Sequence, residues 1–285
     1  MTVPVEARAA AIETRRSTAA PARWRRLRRR AIVILGRVTL LVLFCGIWQL
    51  VARERWMNPV FIGMPSDIAV DYVHALFGKL LWVHARATVI STLLGFGLAA
   101  FAGIFSAMLL TQVTILDEIA QPFLTAFNSL PRVALAPLFV MWFGVGAASK
   151  VALAASLVFF VVLLNTMAGI QGVDRDHIAL ARSLGASPSA IFFKIKLPSA
   201  IPSIFAGIEL GMIYGFLGTV AGEMLAGDVG IGVALQEDSG LFKTSEFFAA
   251  LLLLVTITTL FSVGLRAVRG RLLRWQSLGV IKDGG

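Results

Sequence analysis

Residues 173–200 read VDRDHIALARSLGASPSAIFFKIKLPSA. Two short helices with a turn between them account for that order. Asp174 and Asp176 stand where a helix N-terminus favours negative charge. Ile178, Ala179, Leu180, Ala181, Arg182 and Leu184 are mostly good helix formers. Gly185 falls at the stop position, where a left-handed residue is wanted. Ser187 can cap the next helix, and Pro188 suits its first position. The second helix is expected to run through Ile191, Phe192 and Phe193 until Pro198 breaks it. Such a helix–turn–helix knob exposes apolar side chains that water does not reward. It either folds back on its own protein or docks into a groove on a partner.

The sequence on both sides of the knob is apolar. The chain has 285 residues, of which 58% are hydrophobic and 15% charged. Soluble domains run near 45–50% and about 25%. Mean hydropathy is +0.83. This composition disfavours a cytosolic enzyme, a secreted disulfide scaffold or a disordered chain. It fits an all-α integral membrane protein. Six apolar segments lie near 34–52, 87–110, 119–142, 151–172, 201–225 and 247–266, and a span needs about 20 residues. Pro131, Arg132 and Pro137 interrupt the third.

Lys and Arg set the orientation. With the N-terminus inside, nineteen of the 26 lie on the inner side, among them Arg37, Arg175, Arg182, Lys194, Lys196, Arg266, Arg269, Arg271, Arg274 and Lys282. Six lie outside: Arg53, Arg55, Lys79, Arg86, Lys150 and Lys243. Both termini are therefore expected in the cytoplasm, with the knob beside them. The net charge of +10 is concentrated in residues 1–30, which hold nine Arg and two Glu. The run Arg23, Arg25, Arg26, Arg28, Arg29, Arg30 directly precedes span one, which fits a flank resting on anionic lipid rather than a nucleic-acid site. No A-x-A cleavage site follows span one, so it is expected to be retained.

Between spans one and two, Ile68, Tyr72, Val73, Leu76, Phe77 and Leu80 recur at helical spacing, and Ser66 is a possible cap. That amphipathic helix either lies on the outer interface or packs on the bundle. Cys45 has no partner in the chain. Ionisable groups inside spans are costly. Arg132 is a candidate to attract an anion or to pair with Asn128 or a carboxylate. Glu223, near the outer end of span five, is a candidate for gating, for a bond to a neighbouring chain, or for a structural hydrogen bond. Glu209 lies nearer the inside. Asn165 and Gln171 either line a polar path or bond across helices, and Gly95, Gly97 and Gly103 are expected to allow close helix approach.

The spacing Ala181-x3-Gly185-x9-Ile195-x-Leu197-Pro198 resembles the "EAA" loop of ABC importer permeases, E-A-A-x3-G-x9-I-x-L-P. Pro131-Arg132-x-Ala134-x-Ala136-Pro137-Leu138, Trp142-Phe143-Gly144-x-Gly146 and Ser149-Lys150 resemble the third span and following turn of the nitrate, sulfonate and taurine permeases. Ala221-Gly222-Glu223-Met224 with Gly230-x-Gly232 resembles their fifth-span ending. The likeness covers roughly residues 66–270. The chain departs from the pattern at Ala179 and Leu180, where the family has glutamate and alanine, and at Glu209, where the subfamily usually has a basic residue.

The resemblance implies a type I importer permease with six transmembrane helices in a bacterial inner membrane. Residues 1–30 would be a basic cytoplasmic tail, 31–84 the first span and outer segment, 85–270 the permease core, and 271–285 a second tail. Ala179, Ala181, Leu184, Gly185, Ala186, Ser187, Ile195, Leu197 and Pro198 would couple to cytoplasmic ABC ATPase subunits. Asn128, Arg132, Glu209 and Glu223 would belong to the path or gate. Two permease chains, as a homodimer, would enclose the path, and an extracytoplasmic binding protein would deliver a small anion such as sulfonate, taurine or nitrate. Related permeases handle bicarbonate, thiamine pyrimidine precursors or aromatic acids. The chain has no G-x4-G-K-[ST] loop, so ATP is expected on another polypeptide. No cofactor, metal site or nucleophile–base set is expected. An ion-coupled transporter, the alternative, would show repeated halves and broken helices with ionisable midplane sites.

Overall fold

The computed structural model describes residues 5–273. Arg274, Lys282 and most of the expected tail 271–285 lie outside the described residues. Along the chain come α1 (Val5–Arg53), α2 (Pro59–Ile62), α3 (Pro65–Phe77), α4 (Lys79–Gln112), α5 (Thr114–Asn128), a 3-10 turn (Arg132–Leu135), α6 (Ala136–Phe143) and α7 (Ala147–Gln171). After them come α8 (Arg175–Ser183), α9 (Pro188–Ile191), a π turn (Phe192–Lys196), α10 (Leu197–Ala226), α11 (Ile231–Gly240) and α12 (Thr244–Leu272). No strand occurs among the described residues.

The chain divides into two compact units, residues 1–67 and 68–285. In the first, Leu27–Arg53 of α1 is long and apolar enough to cross a bilayer. Asn58 caps α2 by accepting the Val60 N–H at 3.1 Å. Ser66 does not cap α3. It lies inside the first turn, where Gln49 Oε1 takes its N–H at 3.1 Å and its hydroxyl turns to Asp67.

The second unit is built on α4, α7 and α10, packed backbone to backbone. A β-carbon at Gly207 would lie 2.7 Å from Asn165 Cβ, and one at Gly218 2.8 Å from Ala154 Cα. Gly95 and Gly103 admit α7 in the same way: β-carbons there would stand 2.9 Å from Val151 O and Phe159 O. Between apolar helices such close contact replaces the hydrophobic drive that lipid cannot supply. Gly97 is the exception to the expected set. It points away from every neighbour, with nothing within 4 Å of its missing side chain. Along the other side of α10, Met212, Phe216 and Val220 pack with Leu253 and Ile257 of α12 and Ile231 and Leu235 of α11. Tyr72 and Leu76 of α3 join this cluster, and Tyr72 Oη lies 2.9 Å from Thr256 Oγ1. The amphipathic segment therefore packs on the bundle, and it ends at Phe77 rather than continuing to Leu80.

Hydrogen bonds define the two ends of this unit. At one end, Gln171 closing α7 donates to Asp117 in the first turn of α5 at 2.7 Å. The knob and the last turns of α12 lie at this end, with Arg182, Lys194, Lys196, Arg269 and Arg271, so it is the cytoplasmic end. At the other, the start of α4 meets the segment after α10. Helix α5 thus starts inside and α7 starts outside, so the chain crosses between them. The crossing is broken: Thr114–Asn128 and Arg132–Phe143 meet at 79°. Pro131 lies in the break and Pro137 in the first turn of α6 after it, as the interrupted hydropathy predicts. With this pair as one span, the described chain has six candidate spans.

Pro198 corrects the expected end of the knob. The helix does not stop there but runs on as one apolar segment, Pro188–Ala226. The turn at Phe192–Lys196 widens by one residue, with Leu197 N–H reaching back to Phe192 O, and Pro198 then sits in the first turn of α10, where no donor is required.

Candidate functional site

The knob is assembled from caps. Asp174 accepts the Asp176 N–H at 2.9 Å and opens α8. Gly185 closes it at φ 79°, with Ala186 N–H returning to Ala181 O at 3.0 Å and Gly185 N–H to Arg182 O at 2.9 Å. This left-handed closure satisfies carbonyls that would otherwise end unpaired. Ser187 Oγ then accepts the Ala190 N–H at 3.3 Å and starts α9. The base and the tip of the knob differ in burial. Its base folds back: Ile191 and Phe192 are buried, and Phe192 packs with Ile170, Ala200, Ile204 and Leu197. Its tip does not: Leu180 and Leu184 are 59% and 79% exposed, and Ala179 is exposed. Ala181, Ala186, Ile195 and Pro198 are half-buried between the two.

At the outer end, Glu223 anchors a second assembly. Its side chain is 2% exposed. Thr88 of α4 donates its hydroxyl to the carboxylate at 2.9 Å, and Gly232 N–H donates to Oε2 at 2.9 Å. Thr88 Oγ1 in turn accepts the Ile231 N–H at 2.8 Å, and His84 Nδ1 accepts the Gly230 N–H at 3.1 Å. From α7, Lys150 donates to Asp228 Oδ1 at 2.9 Å and to Val229 O at 2.6 Å. Lys150 is 3% exposed although it opens a span. Its hydrogen bond holds the Asp228 carboxyl below the usual carboxylate range, helped by backbone N–H donors. The segment 227–232 is thus tied to α4, α7 and α10 at once. Every buried polar side chain among the described residues has a partner, which is what a dry environment requires.

The candidate path residues do not converge. Asn128 and Arg132 meet at the break in span three. Arg132 Nη2 donates to Asn128 Oδ1 and to Phe127 O, both at 3.1 Å, and the guanidinium lies 4.2 Å from the ring centre of Phe160, midway along α7. Glu209 lies in the inner half of α10, accepting from Arg269 at 3.2 Å. Glu223 is at the outer end, bonded within its own chain. Asn165 bonds its own helix at Val161 O, whereas Gln171 bonds across to α5. Thr88 as the partner of Glu223, His84 as the partner of Gly230 and the Lys150–Asp228 pair were not legible. The signal was the strings Ser149-Lys150 and Glu223…Gly230-x-Gly232, which carry the resemblance and prove to meet in space.

Comparisons with known proteins agree with this architecture. The binding-protein-dependent transport system inner membrane component family matches residues 99–274. The riboflavin transport system permease protein RibX of Chloroflexus aurantiacus is 32% identical over 85% of this chain and 91% of its own. The taurine transport system permease protein TauC of Escherichia coli is 28% identical over 89% and 93%. A solved chain of the MetNI methionine ABC transporter in inward-facing conformations superposes with a TM-score of 0.54 at 18% identity, covering 70% of this chain and 95% of that one. The resemblance read from the loop and its flanking strings holds across the chain, which belongs to the family of inner membrane components, or permeases, of binding-protein-dependent ABC transport systems.

Proposed function

We propose that this chain forms the translocation path of an ATP-driven importer and receives its power stroke through residues 173–200. The observation that carries this is the construction of the knob. Its apolar tip, Leu180 and Leu184, is held out by caps at Asp174, Gly185 and Ser187, while its base is continuous with span five. A separate ATPase that grips the tip would move α8, α9 and α10 as linked bodies, because packed interfaces shift between discrete arrangements. Ala179 replaces the family's glutamate, so the grip rests on Leu180 and Leu184 and on the shape of the Gly185 turn. A binding protein would present solute at the outer end, where the clamp around Glu223 keeps three spans together. Two copies of the chain would enclose the path.

The cargo we propose is a small anion, of the sulfonate, taurine or nitrate kind. Arg132 sits at mid-depth where the third span breaks, and only one of its nitrogens is engaged by Phe127 and Asn128. Its remaining donors suit an anion in transit. The identity to a riboflavin permease favours a second reading, a larger heteroaromatic cargo.

The test is purification from native membranes in mild detergent. A Walker-motif ATPase is expected to co-purify in near-equal amount with the natural chain and to be lost from Leu184→Asp, which charges the exposed tip without entering the core. Association that survives in Leu184→Asp would remove the knob from the interface. Uptake of labelled taurine, nitrate and riboflavin by cells carrying Arg132→Gln would then separate the two cargo classes, since only anion uptake depends on the guanidinium.

A further inference from the structure

We infer that a cavity between the knob and the turn joining α4 to α5 is a binding site for a phosphate-bearing anion. The cavity holds about 470 Å³. Arg182 enters it from α8 and Lys196 from the π turn, and Gln112 and Thr114 face them from the other wall. Neither Arg182 nor Lys196 makes an ion pair or a side-chain hydrogen bond among the described residues. A cation in the last turn of α8 complements the helix dipole, which accounts for Arg182 alone but not for a second cation on the same cavity. Thr114 also opens α5, a 15-residue helix whose first N–H groups receive no side-chain cap. Two cations with no partner among the described residues, an amide, a hydroxyl and an uncapped helix start therefore share one recess, and each recognises phosphate oxygens.

The position favours a lipid headgroup as the source. The cavity lies at the cytoplasmic end, beside the inner leaflet, where basic pockets between membrane helices take anionic headgroups. One wall is Phe193, which is 54% exposed and offers an apolar surface to an acyl chain. Free phosphate would use the same donors but not Phe193. Because the site spans the knob and the α4–α5 turn, an occupant would tie the base of the knob to the bundle.

The site can be tested on the purified full chain in detergent, without any transport readout, so its failure is separate from failure of the importer reading. Bound lipid would be counted by native mass spectrometry during titration with dioleoylphosphatidylglycerol or dioleoylphosphatidylcholine, and inorganic phosphate would be titrated as a third arm with melting temperature as readout. The double variant Arg182→Gln/Lys196→Gln is expected to bind phosphatidylglycerol about 10- to 30-fold more weakly, since each basic group near an anionic headgroup contributes a few-fold. Lys194→Gln, a cation on the same turn but outside the cavity, is expected to bind like the natural chain. Protection by inorganic phosphate that the double variant abolishes, with no lipid preference, would also support the site and assign it to a soluble anion. Equal loss in Lys194→Gln would reduce it to diffuse surface charge and overturn the proposal. So would a double variant that matches the natural chain in both arms.

Discussion

A β-carbon on Gly230 would fall within the Glu223 carboxylate, so these two residues fit only because one of them has no side chain. Gly230 also holds φ 152°, a backbone conformation that side chains oppose. Gly230→Ala is therefore expected to be destabilised by about 1–3 kcal/mol, from overpacking and strain together. Gly97→Ala is the matched control. It meets nothing within 4 Å and lies inside α4, so it should be neutral or gain up to about 1 kcal/mol. Melting temperatures of the two variants in detergent check this, and equal values would show that the outer segment is free to move off Glu223.

Thr88 is the hinge of the same network, because one hydroxyl both donates to Glu223 and accepts from Ile231. Thr88→Val keeps the shape and removes both bonds, leaving a buried carboxylate oxygen and a buried N–H short of a partner. The expected cost is about 1–3 kcal/mol for each group left unpaired. Thr88→Ser should restore most of it. A Thr88→Val variant as stable as Thr88→Ser would show that water replaces the hydroxyl and that the outer end is wet.

How far the sequence reaches is visible in these residues. The knob was legible almost atom by atom, since caps are local: Asp174, Gly185 and Ser187 act on backbone within five positions. The break in span three was legible for the same reason, through Pro131 and Pro137. Pro198 misled because proline's effect depends on the turn before it, and the wider turn at Phe192–Lys196 has no sequence mark as plain as a proline. The clamp was least legible. Glu223 meets Thr88 across 135 positions and Lys150 meets Asp228 across 78, and periodicity carries no information at that separation. Lys150, counted by charge on the outer side, is buried there.

The Lys150–Asp228 contact predicts a particular acid response. Lys150 holds the Asp228 carboxyl below its ordinary pKa. A carboxylate depressed in the folded state contributes stability that is present above its unfolded value, about 3.9, and is lost as pH falls through the lower folded value. Melting temperature should therefore fall on acidification below about pH 4, in part through this group. Asp228→Asn should start lower at neutral pH and show a shallower acid limb. Parallel acid limbs in the two proteins would mean that Asp228 carries none of the response. The contribution is modest, because Asp228 itself is largely exposed while Lys150 is not.

Gly185 separates the geometry of the knob from its stability. Its left-handed φ of 79° lets Ala186 N–H close α8 on Ala181 O, yet a β-carbon there would touch nothing. The position is constrained by backbone conformation alone. Asn enters the left-handed region more readily than other residues with side chains, whereas a β-branched residue resists it. Gly185→Asn should therefore keep ATPase association and uptake near normal. Gly185→Val should meet a penalty of about 1–2 kcal/mol that it can relieve only by opening the turn. Opening it swings Leu180 and Leu184 away from their capped positions but leaves α4, α7 and α10 untouched. The expected result is weakened association and uptake at an unchanged melting temperature. Loss of melting temperature in step with association would show that the knob is part of the folding core rather than an appendage held out from it.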